Sequence, residues 1–457
     1  MFLKLTKKNL RLWCVGLLLA AQIPLAAQIP DVQVSTTSVA KTTSVEKYLD
    51  QTGGRTADEL VRFALENNSD LEAVRGEVTA AEALIKQADF RANPNLELSG
   101  SKNPISPSNS LTVKASLPLE LFGRRGARVL VAQREAEIRR QVLQDRERLL
   151  AAEVRAKFGE SLALALKLFF VEETLAATTN NYSLVAARVR EGRTAPLERN
   201  MELVELNRIR ALRETSDGRT EISLLELKNL VGMPPDAPLR LRGNFADLLE
   251  PLPPQAIAVE QALKNRPDLQ AAQALVDLAE ARIEQAKVQG KSDASVSAGY
   301  LRTNSGFPFR GFDGNQQLAP IRSVFNFVTF GVTLSLPVFN KNTGNIEAAV
   351  ADKTSAANRL EFGILTVRRE MAAGYVRYES AARAMEIYRV GVEQQSKMNL
   401  GVVRQTYELG SRTLLDYIAE QRRYIEAEDD FIDAQLETYL ARIEILRATN
   451  APELTNK

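Results

Sequence analysis

The residues best suited to chemistry lie in the stretch YELGSRTLLDYIAEQ, which runs from Tyr407 to Gln421. Gly410 interrupts a region that otherwise has the composition of a long helix, where glycine costs about 1 kcal/mol relative to alanine. Arg412 and Asp416 follow it, and on a helix two side chains four residues apart share a face. The spacing predicts an oppositely charged pair. It has either a functional role or only the small stabilising effect of an exposed intrahelical pair.

The remaining residue types give no support for catalysis. The chain has no histidine, and Cys14 is its single cysteine. A Ser-His-Asp or Cys-His centre is therefore impossible, and a zinc site lacks its usual ligands. A glycine-rich phosphate loop is absent as well. The sequence predicts no enzymatic activity, no cofactor and no metal site, and the acidic run Glu428, Asp429 and Asp430 is interpreted as a solvated helix face.

The N-terminal residues 1–27 are predicted to be a secretory signal peptide. A basic start precedes an apolar run from Leu12 to Ala21, and cleavage is expected after Ala27. A lipid anchor on Cys14 is the alternative, although RLWC lacks the small residues expected before a lipidated cysteine. Beyond this segment no apolar run reaches the ~20 residues of a spanning helix. The mature protein is therefore either soluble outside the cytoplasm or crosses a membrane with strands.

The overall charge gives little support for nucleic-acid binding. Lysine and arginine number 59, and aspartate and glutamate number 57. Such a balance creates no strong positive field. We therefore expect no nucleic-acid partner.

The chain contains an internal duplication. The segment that begins at Ala64 matches the segment that begins at Ala262 at 13 of 25 positions. We therefore divide the mature chain into an extended segment (28–55), repeat 1 (56–231), a proline-rich linker (232–255), repeat 2 (256–449) and a C-terminal tail (450–457). In both repeats the pattern predicts a helix, two strands, a very long helix, a turn marked by glycine and a second helix.

The strand pairs are predicted at 95–119 and 293–338, because apolar and polar residues alternate there. This pattern fits a half-buried hairpin and equally a tilted barrel strand with lipid on one side. The connection within the second pair is predicted to be a long outer loop. Its aromatic residues are expected either near a membrane interface or packed within the loop; with those of the following strand they are Phe307, Phe309, Phe312, Phe325 and Phe327.

The long helices are predicted at 124–191 and 343–409, because neither range contains proline. Each would reach roughly 100 Å. Helices of this length must pack against one another along their length, as in coiled coils. Gly192 and Gly410 mark the turns at their far ends, where glycine accepts a left-handed conformation.

With these features together, the sequence resembles the TolC-type outer-membrane efflux proteins over about residues 56–449. The resemblance rests on the Ala64–Leu71 segment, the SLP segments at Ser116 and Ser335, and the YxxGxxxxLD segment at Tyr407. The flanking sequences LELFGRRGAR and LPVFNKNTGNIEAA are most similar to the branch that serves heavy-metal (cobalt-zinc-cadmium and copper-silver) exporters.

The resemblance implies a mainly α, mixed fold and a homotrimer. The long antiparallel helices would form a trimeric α-barrel in the periplasm. Each subunit would give four strands to a shared 12-stranded transmembrane β-barrel in the outer membrane, in contact with its lipid. A periplasmic adaptor (membrane fusion protein) and an inner-membrane pump of the resistance-nodulation-division type would be the partners.

The resemblance also implies roles for the residues at the turns. Gly192 and Gly410 would mark the adaptor-docking tips, and Arg412, Asp416 and Glu198 would form the periplasmic gate. A second acidic residue is common in the family three residues after the first. Here that position is Ala419, which puts a double acidic constriction in doubt.

The predicted function is a passive exit duct of a tripartite efflux system. The alternative is a soluble periplasmic coiled-coil adaptor or scaffold, which explains the helices but explains the strand pattern poorly. The sequence leaves the substrate open among metal ions, drugs and secreted peptides.

Overall fold

A computed structural model of the chain describes residues 45–104 and 108–455. The expected signal peptide (1–27), its Cys14 and residues 28–44 of the expected extended segment lie outside the described residues. The helices are α1 (Val45–Tyr48), α2 (Ala57–Asn67), α3 (Ser69–Asp89), α4 (Arg124–Arg190), α5 (Pro196–Val231), α6 (Phe245–Leu248), α7 (Gln255–Asn265), α8 (Pro267–Gln289), α9 (Thr343–Ile387), α10 (Gln394–Glu408), α11 (Leu414–Thr449) and α12 (Pro452–Thr455).

Four strands form one antiparallel sheet in the order β1-β2-β3-β4. Their bounds are β1 (Asn95–Lys102), β2 (Asn109–Pro118), β3 (Asp293–Phe312) and β4 (Leu318–Ser335). The first pair comes from repeat 1 and the second from repeat 2, so β2 and β3 join the two halves of the chain within the sheet. All four strands connect to helices at one end of the sheet, and both hairpin turns lie at the other end.

The sheet has one apolar face. The side chains of each registered row lie on the same side, since residues directly opposite in neighbouring strands point the same way. Phe330 is 83% exposed at the centre of this face. Two of its rows are Leu96–Ala115–Ala298–Phe330 and Leu98–Val113–Tyr300–Val328.

The opposite face of the sheet is polar over the same length. Glu97 lies opposite Lys114 there, and the row continues through Gly299 to Thr329. The neighbouring row toward the helices contains asparagine, serine and glycine, whereas the neighbouring row toward the hairpin turns includes Leu301 and Phe327. In the half of the sheet nearer the helices, the alternation predicted from the sequence therefore extends across all four strands as two chemically different faces.

The predicted long aromatic loop in the second hairpin is wrong. Phe309 and Phe312 belong to β3, and only residues 313–317 form the turn. Asp313 closes this turn, because its Oδ1 accepts hydrogen bonds from the backbone N–H groups of Asn315 at 2.9 Å and Gln317 at 3.0 Å. Aromatic residues favour strands, so the segment extends the sheet instead of leaving it.

The long helices pack side by side. In repeat 1, α4 runs for 67 residues without interruption and lies against α3, α5, α8 and α11. In repeat 2 the chain is helical from Thr343 to Glu408, as expected, but a π-helical turn at Tyr388–Glu393 lies between α9 and α10. A π turn inserts one residue into the helical ladder and shifts the faces on either side of it.

The largest buried cluster lies where α4 and α11 meet α2, α6 and α12. Phe158, Phe245 and Tyr439 are at most 2% exposed there, and the Phe245 and Tyr439 rings meet edge to face at 6.0 Å. The buried Arg155 donates to the Leu454 carbonyl at 2.9 Å and also binds Asp58 and the Glu453 carbonyl. Part of the expected tail (450–457) is thus the docked helix α12.

Residues 45–55 belong to the segment that the sequence predicts to be extended (28–55), and they are docked on the rest of the chain. Tyr48 is buried, and its hydroxyl donates to Asp217 at 2.8 Å. The backbone N–H of Asp50 donates to the Leu241 carbonyl at 3.0 Å, which ties this segment to the proline-rich linker. The segment pairs with the backbone of the linker at Leu241. These residues are far apart in the sequence, so local sequence patterns do not indicate this contact.

Among the described helices, none is both long enough and apolar enough to cross a membrane.

Candidate functional site

The turn after α4, residues 191–195, is called tip 1. Gly192 has a φ of +72° there, which is a left-handed conformation that favours glycine. Its N–H donates to the Val189 carbonyl at 3.0 Å, and the N–H of Arg193 donates to the Arg188 carbonyl at 2.9 Å. These two bonds form a Schellman motif, which satisfies the last carbonyl groups of a helix.

The turn after α10, residues 409–413, is called tip 2 and repeats this geometry. Gly410 has a φ of +77°. Its N–H donates to the Tyr407 carbonyl at 2.9 Å, and the N–H of Ser411 donates to the Thr406 carbonyl at 2.9 Å. The left-handed glycine predicted at each turn is confirmed. The assignment of the tips to adaptor docking stays a prediction.

Asp416 has a structural role at tip 2. Thr413 is the N-cap of α11, and its Oγ1 accepts from the Asp416 N–H at 3.2 Å. The Asp416 carboxylate accepts in return from the Thr413 hydroxyl at 2.8 Å and from its N–H at 3.0 Å. This reciprocal arrangement is a capping box. The bonds from Thr413, followed by the charge of Arg412, lower the pKa of Asp416, so the carboxylate is charged at neutral pH.

Glu198 occupies the equivalent position at tip 1. Ala195 is the N-cap of α5, Pro196 begins the helix and Glu198 is the third helical residue, as Asp416 is in α11. Ala195 has no side-chain acceptor, so α5 lacks the capping box. Each copy therefore places one acidic residue at the same position beyond its tip, but only Asp416 is held by a capping box.

The predicted helix face shared by Arg412 and Asp416 is wrong. α11 begins at Leu414, so Arg412 lies in the turn before the N-cap. Arg412 is exposed, and within the described residues its guanidinium forms no ion pair with Asp416. It acts on Asp416 only through its charge. Its assignment to a gate stays a prediction, as do those of Asp416 and Glu198.

The position three residues after Asp416 carries no second acid. Ala419 is exposed, whereas Glu420 is buried and accepts a hydrogen bond from Arg423 at 3.0 Å. A single subunit therefore presents no acidic side chain at position 419 or 420 for a second constriction.

Apolar side chains surround both tips, which the sequence interpretation missed. Leu197 and Leu415 are the second residues of α5 and α11, and they are 66% and 61% exposed. Leu409 in tip 2 is 82% exposed. The matching leucines in the two copies were the available signal. Exposed apolar groups at a helix tip are suited to binding another protein.

An aromatic cluster supports tip 2 from below. The rings of Tyr407 and Tyr417 stack at 5.8 Å with 15° between their planes. Leu414 and Ile418 are buried beside them, and Met201 of α5 packs against the same cluster. Tip 2 is thereby held against the second helix of repeat 1.

Below the tips, a buried polar layer crosses the helices. Glu202 of α5 is fully buried, and its Oε1 accepts from the Asn181 side chain at 2.8 Å. Gln421 of α11 is buried and donates to the Thr178 hydroxyl at 2.8 Å. In the part of the chain that the structure describes, Glu202 Oε2 and Gln421 Oε1 lack a hydrogen-bond partner. Burial, with the nearby charge of Glu205, raises the pKa of Glu202.

Glu205, one helical turn further, has the opposite environment. It is 1% exposed, and its carboxylate binds Arg208 at 2.8 Å and Arg422 of α11 at 2.6 Å. Burial alone would raise its pKa, but the two guanidinium groups outweigh burial and lower it. Glu205 is therefore a charged link between α5 and α11, whereas burial shifts the pKa of Glu202 in the opposite direction.

Replacing Glu202 by glutamine is expected to raise the unfolding temperature at neutral pH and to flatten its dependence on pH. When folding raises the pKa of a carboxyl group, the protein loses stability as the pH rises above the ordinary pKa of that group, which is 4.5 for glutamate. Thermal unfolding of the purified protein at about pH 5 and about pH 8 measures the effect.

Glu205→Gln is the matched control for this experiment. It should destabilise the protein at neutral pH, because the stabilisation from a lowered pKa is present above the ordinary value and is lost as pH falls. A Glu202→Gln variant with the pH profile of the wild type would contradict the raised pKa of Glu202.

The interpretation of Glu428, Asp429 and Asp430 as one solvated face holds only in part. Glu428 is half-buried, and burial raises its pKa. It is bonded to Tyr424 and faces Glu393, which ends the π-helical turn. Asp429 binds Lys167 of α4 at 3.0 Å. In the described ranges, no group of three or more potential metal ligands comes together.

The two tips, the long paired helices and the two-faced sheet define a protein of the outer-membrane efflux class. The chain belongs to the outer membrane efflux protein family, whose model matches residues 60–233 and 258–451. The two matched ranges correspond to the two repeats.

Individual relatives agree with this assignment. The chain is 26% identical to the cobalt-zinc-cadmium resistance protein CzcC of Cupriavidus metallidurans, over 86% of this chain and 90% of that protein. It is 25% identical to the outer membrane protein OprJ of Pseudomonas aeruginosa, over 85% and 82% of the two chains. The crystal structure of the transmembrane channel protein CusC superimposes with a TM-score of 0.71 at 19% identity, covering 90% of this chain and 95% of that one. The resemblance inferred from the sequence is confirmed.

Proposed function

We propose that three copies of this chain form a passive exit duct through the outer membrane. The observation that carries the proposal is the sheet, which has one exposed apolar face, one polar face and unpaired edges at β1 and β4. In a membrane an open strand edge must find a partner. Pairing β1 of one copy with β4 of the next would close three four-stranded sheets into a 12-stranded barrel.

The height of the apolar face supports this arrangement. From Val328 to Leu334 the exposed apolar residues of β4 span six steps along the strand, or roughly 20 Å. Transmembrane barrels have an apolar band roughly 25 Å tall. Tyr300 lies at the outer end of this band, and its hydroxyl donates to Asn326 at 2.6 Å. Tyrosine is typical of the membrane–water interface.

A periplasmic adaptor of the membrane-fusion type binds the two tips in this proposal, and an inner-membrane pump of the resistance-nodulation-division type delivers the substrate. The support is the exposed leucines Leu197, Leu409 and Leu415 beside the Schellman turns. Docking would move tip 2 against the cluster that Tyr407 and Tyr417 form with α5. Movement of the tip would open the duct.

Small cations, including heavy-metal ions, or drugs are the proposed substrates. CzcC is a metal resistance protein by name, which favours metal ions. Asp416 and Glu198 would each form a ring of three acids in the trimer, and such rings favour cations. The chain has no histidine, so the duct itself would not bind metal ions strongly, and selectivity would come from the pump.

The alternative, a soluble periplasmic coiled-coil scaffold, gives no reason for the apolar face. The apolar side chains exposed on this face include Phe330, Val328 and Val332. In a soluble protein, such an exposed apolar patch would promote aggregation. The polar opposite face is also what an aqueous lumen requires.

The purified protein is expected to conduct ions in planar bilayers and to be released from outer-membrane fractions only by detergent. Reconstitution of the trimer and single-channel recording measure the first, and cell fractionation measures the second. Recovery in the soluble periplasmic fraction without detergent, together with no conductance, would overturn the proposal in favour of the scaffold.

A further inference from the structure

Four basic side chains continue the apolar face of the sheet toward the hairpin turns. They are called the basic ladder and are Lys102, Arg302, Arg310 and Arg322. Arg302 follows Tyr300 by two residues on β3, and Lys102 follows Leu98 by four residues on β1. Alternate residues of a strand point to the same face, so these two cations lie on the face that carries the apolar rows.

The register places the other two cations on the same face. Arg322 lies six residues before Val328 on β4 and is paired with Gly306. Arg310 is paired with Pro320, two residues from Arg322, after the irregularity between Gly306 and Arg310. Successive rows are about 7 Å apart, so the ladder spans roughly 20 Å from the Arg302 row to the Arg310 row, beginning one row beyond the apolar band.

The ladder is free of internal partners. All four side chains are exposed, and within the described residues none forms an ion pair or a side-chain hydrogen bond. Asp313 is the only acidic residue between positions 294 and 346, and its Oδ1 is occupied by the backbone of the turn. Nothing in the hairpin neutralises the charge of the ladder.

The other end of the sheet is different. Arg124 lies 3.6 Å from Asp293, and Arg125 lies 2.8 Å from Asp89. Arg128 is paired with Glu120. These three arginines at the helical end of the band are therefore compensated within the chain, whereas the four cations of the basic ladder have no acidic partner among the described residues.

We propose that the basic ladder binds the phosphate groups of lipid headgroups in the outer leaflet. This inference rests on the proposed function, in which the apolar face contacts lipid and the helix tips bind a periplasmic adaptor; the hairpin turns, at the opposite end of the sheet from the helices, would then lie outside the cell. Guanidinium groups bind phosphate with two parallel hydrogen bonds. In the ladder each arginine is paired with an uncharged residue on the neighbouring strand.

Continuity with the apolar band identifies a lipid as the occupant. Tyr300 and Arg302 are two residues apart on one face of one strand, so a molecule against both must be apolar at one end and anionic at the other. A free anion would have no reason to prefer the apolar face, and on β2 the lysine Lys114 points to the polar face opposite Glu97.

The test compares lipid retention by the purified trimer and by the triple variant Arg302→Gln, Arg310→Gln, Arg322→Gln. The probe is a bisphosphorylated glycolipid of the lipid A type, with its dephosphorylated form as the paired lipid. Native mass spectrometry counts bound lipid at increasing salt. A basic side chain near an anionic surface changes binding about fivefold, so the triple variant should bind on the order of a hundredfold more weakly. Wild-type binding should fall with salt.

Lys114→Gln is the matched control, since it removes one cation from the polar face and should leave retention unchanged. Equal retention of the two glycolipids, or wild-type retention by the triple variant, would overturn the inference. The inference would also be overturned if inorganic phosphate alone raised the unfolding temperature as much as the bisphosphorylated glycolipid does, because the occupant would then be a free anion. Wild-type protein that conducts in bilayers yet shows any of these results fails this inference alone, whereas soluble, non-conducting protein fails the proposed function.

Discussion

Phe330→Arg is expected to abolish assembly in the outer membrane while leaving the helical part of the chain folded. Phe330 lies near the middle of the apolar band and is 83% exposed in the single chain, so the substitution removes almost no packing there. In the membrane, an arginine at mid-depth on the lipid face of a barrel costs about 2–4 kcal/mol. Three copies raise the cost to about 6–12 kcal/mol for a trimer. Trimer yield after detergent extraction, and far-ultraviolet circular dichroism of the protein, measure the two parts of the result.

Thr329→Arg is the matched control, because Thr329 is the adjacent residue on the polar face, opposite Gly299. It should assemble as the wild type does. In a soluble scaffold both residues are exposed to water, and both variants would then behave alike. Equal membrane assembly of Phe330→Arg and Thr329→Arg would therefore remove the assignment of the apolar face to lipid.

The sequence was informative wherever a structural feature is periodic or repeated. The alternation in FVTFGVTLSL predicted the two faces of β4, and the matching of Gly192 with Gly410 predicted two equivalent turns. Both features depend on local geometry, the two-residue period of a strand and the left-handed conformation at a helix end. The resemblance to a known family then supplied the fold.

Features that depend on contacts between distant segments escaped prediction. Glu202 reads as one more charged residue on a charged helix, and only the packing of α5 against α4 reveals that it is fully buried. The docking of residues 45–55 on the linker has the same cause. The cap at tip 2 escaped prediction for a different reason: the spacing of Arg412 and Asp416 indicates one shared helix face, whereas α11 begins only at Leu414, after the Thr413 N-cap.

That cap changes how the gate must be tested, because Asp416 does two things at once. Its carboxylate accepts both bonds from Thr413, and it carries the negative charge that a ring of three would present to ions. Asp416→Ala would remove both, and loss of an N-terminal cap alone costs about 1 kcal/mol. A change in conductance by that variant would not show which property mattered.

Asp416→Asn and Thr413→Val separate the two properties. Asparagine removes the charge but keeps an oxygen that can accept from the Thr413 N–H, whereas valine at position 413 removes the side-chain cap and keeps the charge. If the charge gates the duct, Asp416→Asn raises single-channel conductance and lowers the cation preference, and Thr413→Val leaves the cation preference unchanged. Glu198→Gln, at the equivalent uncapped position, should lower the cation preference in the same direction. The reverse pattern, a response to Thr413→Val and none to Asp416→Asn, would make Asp416 a helix cap and remove it from the gate.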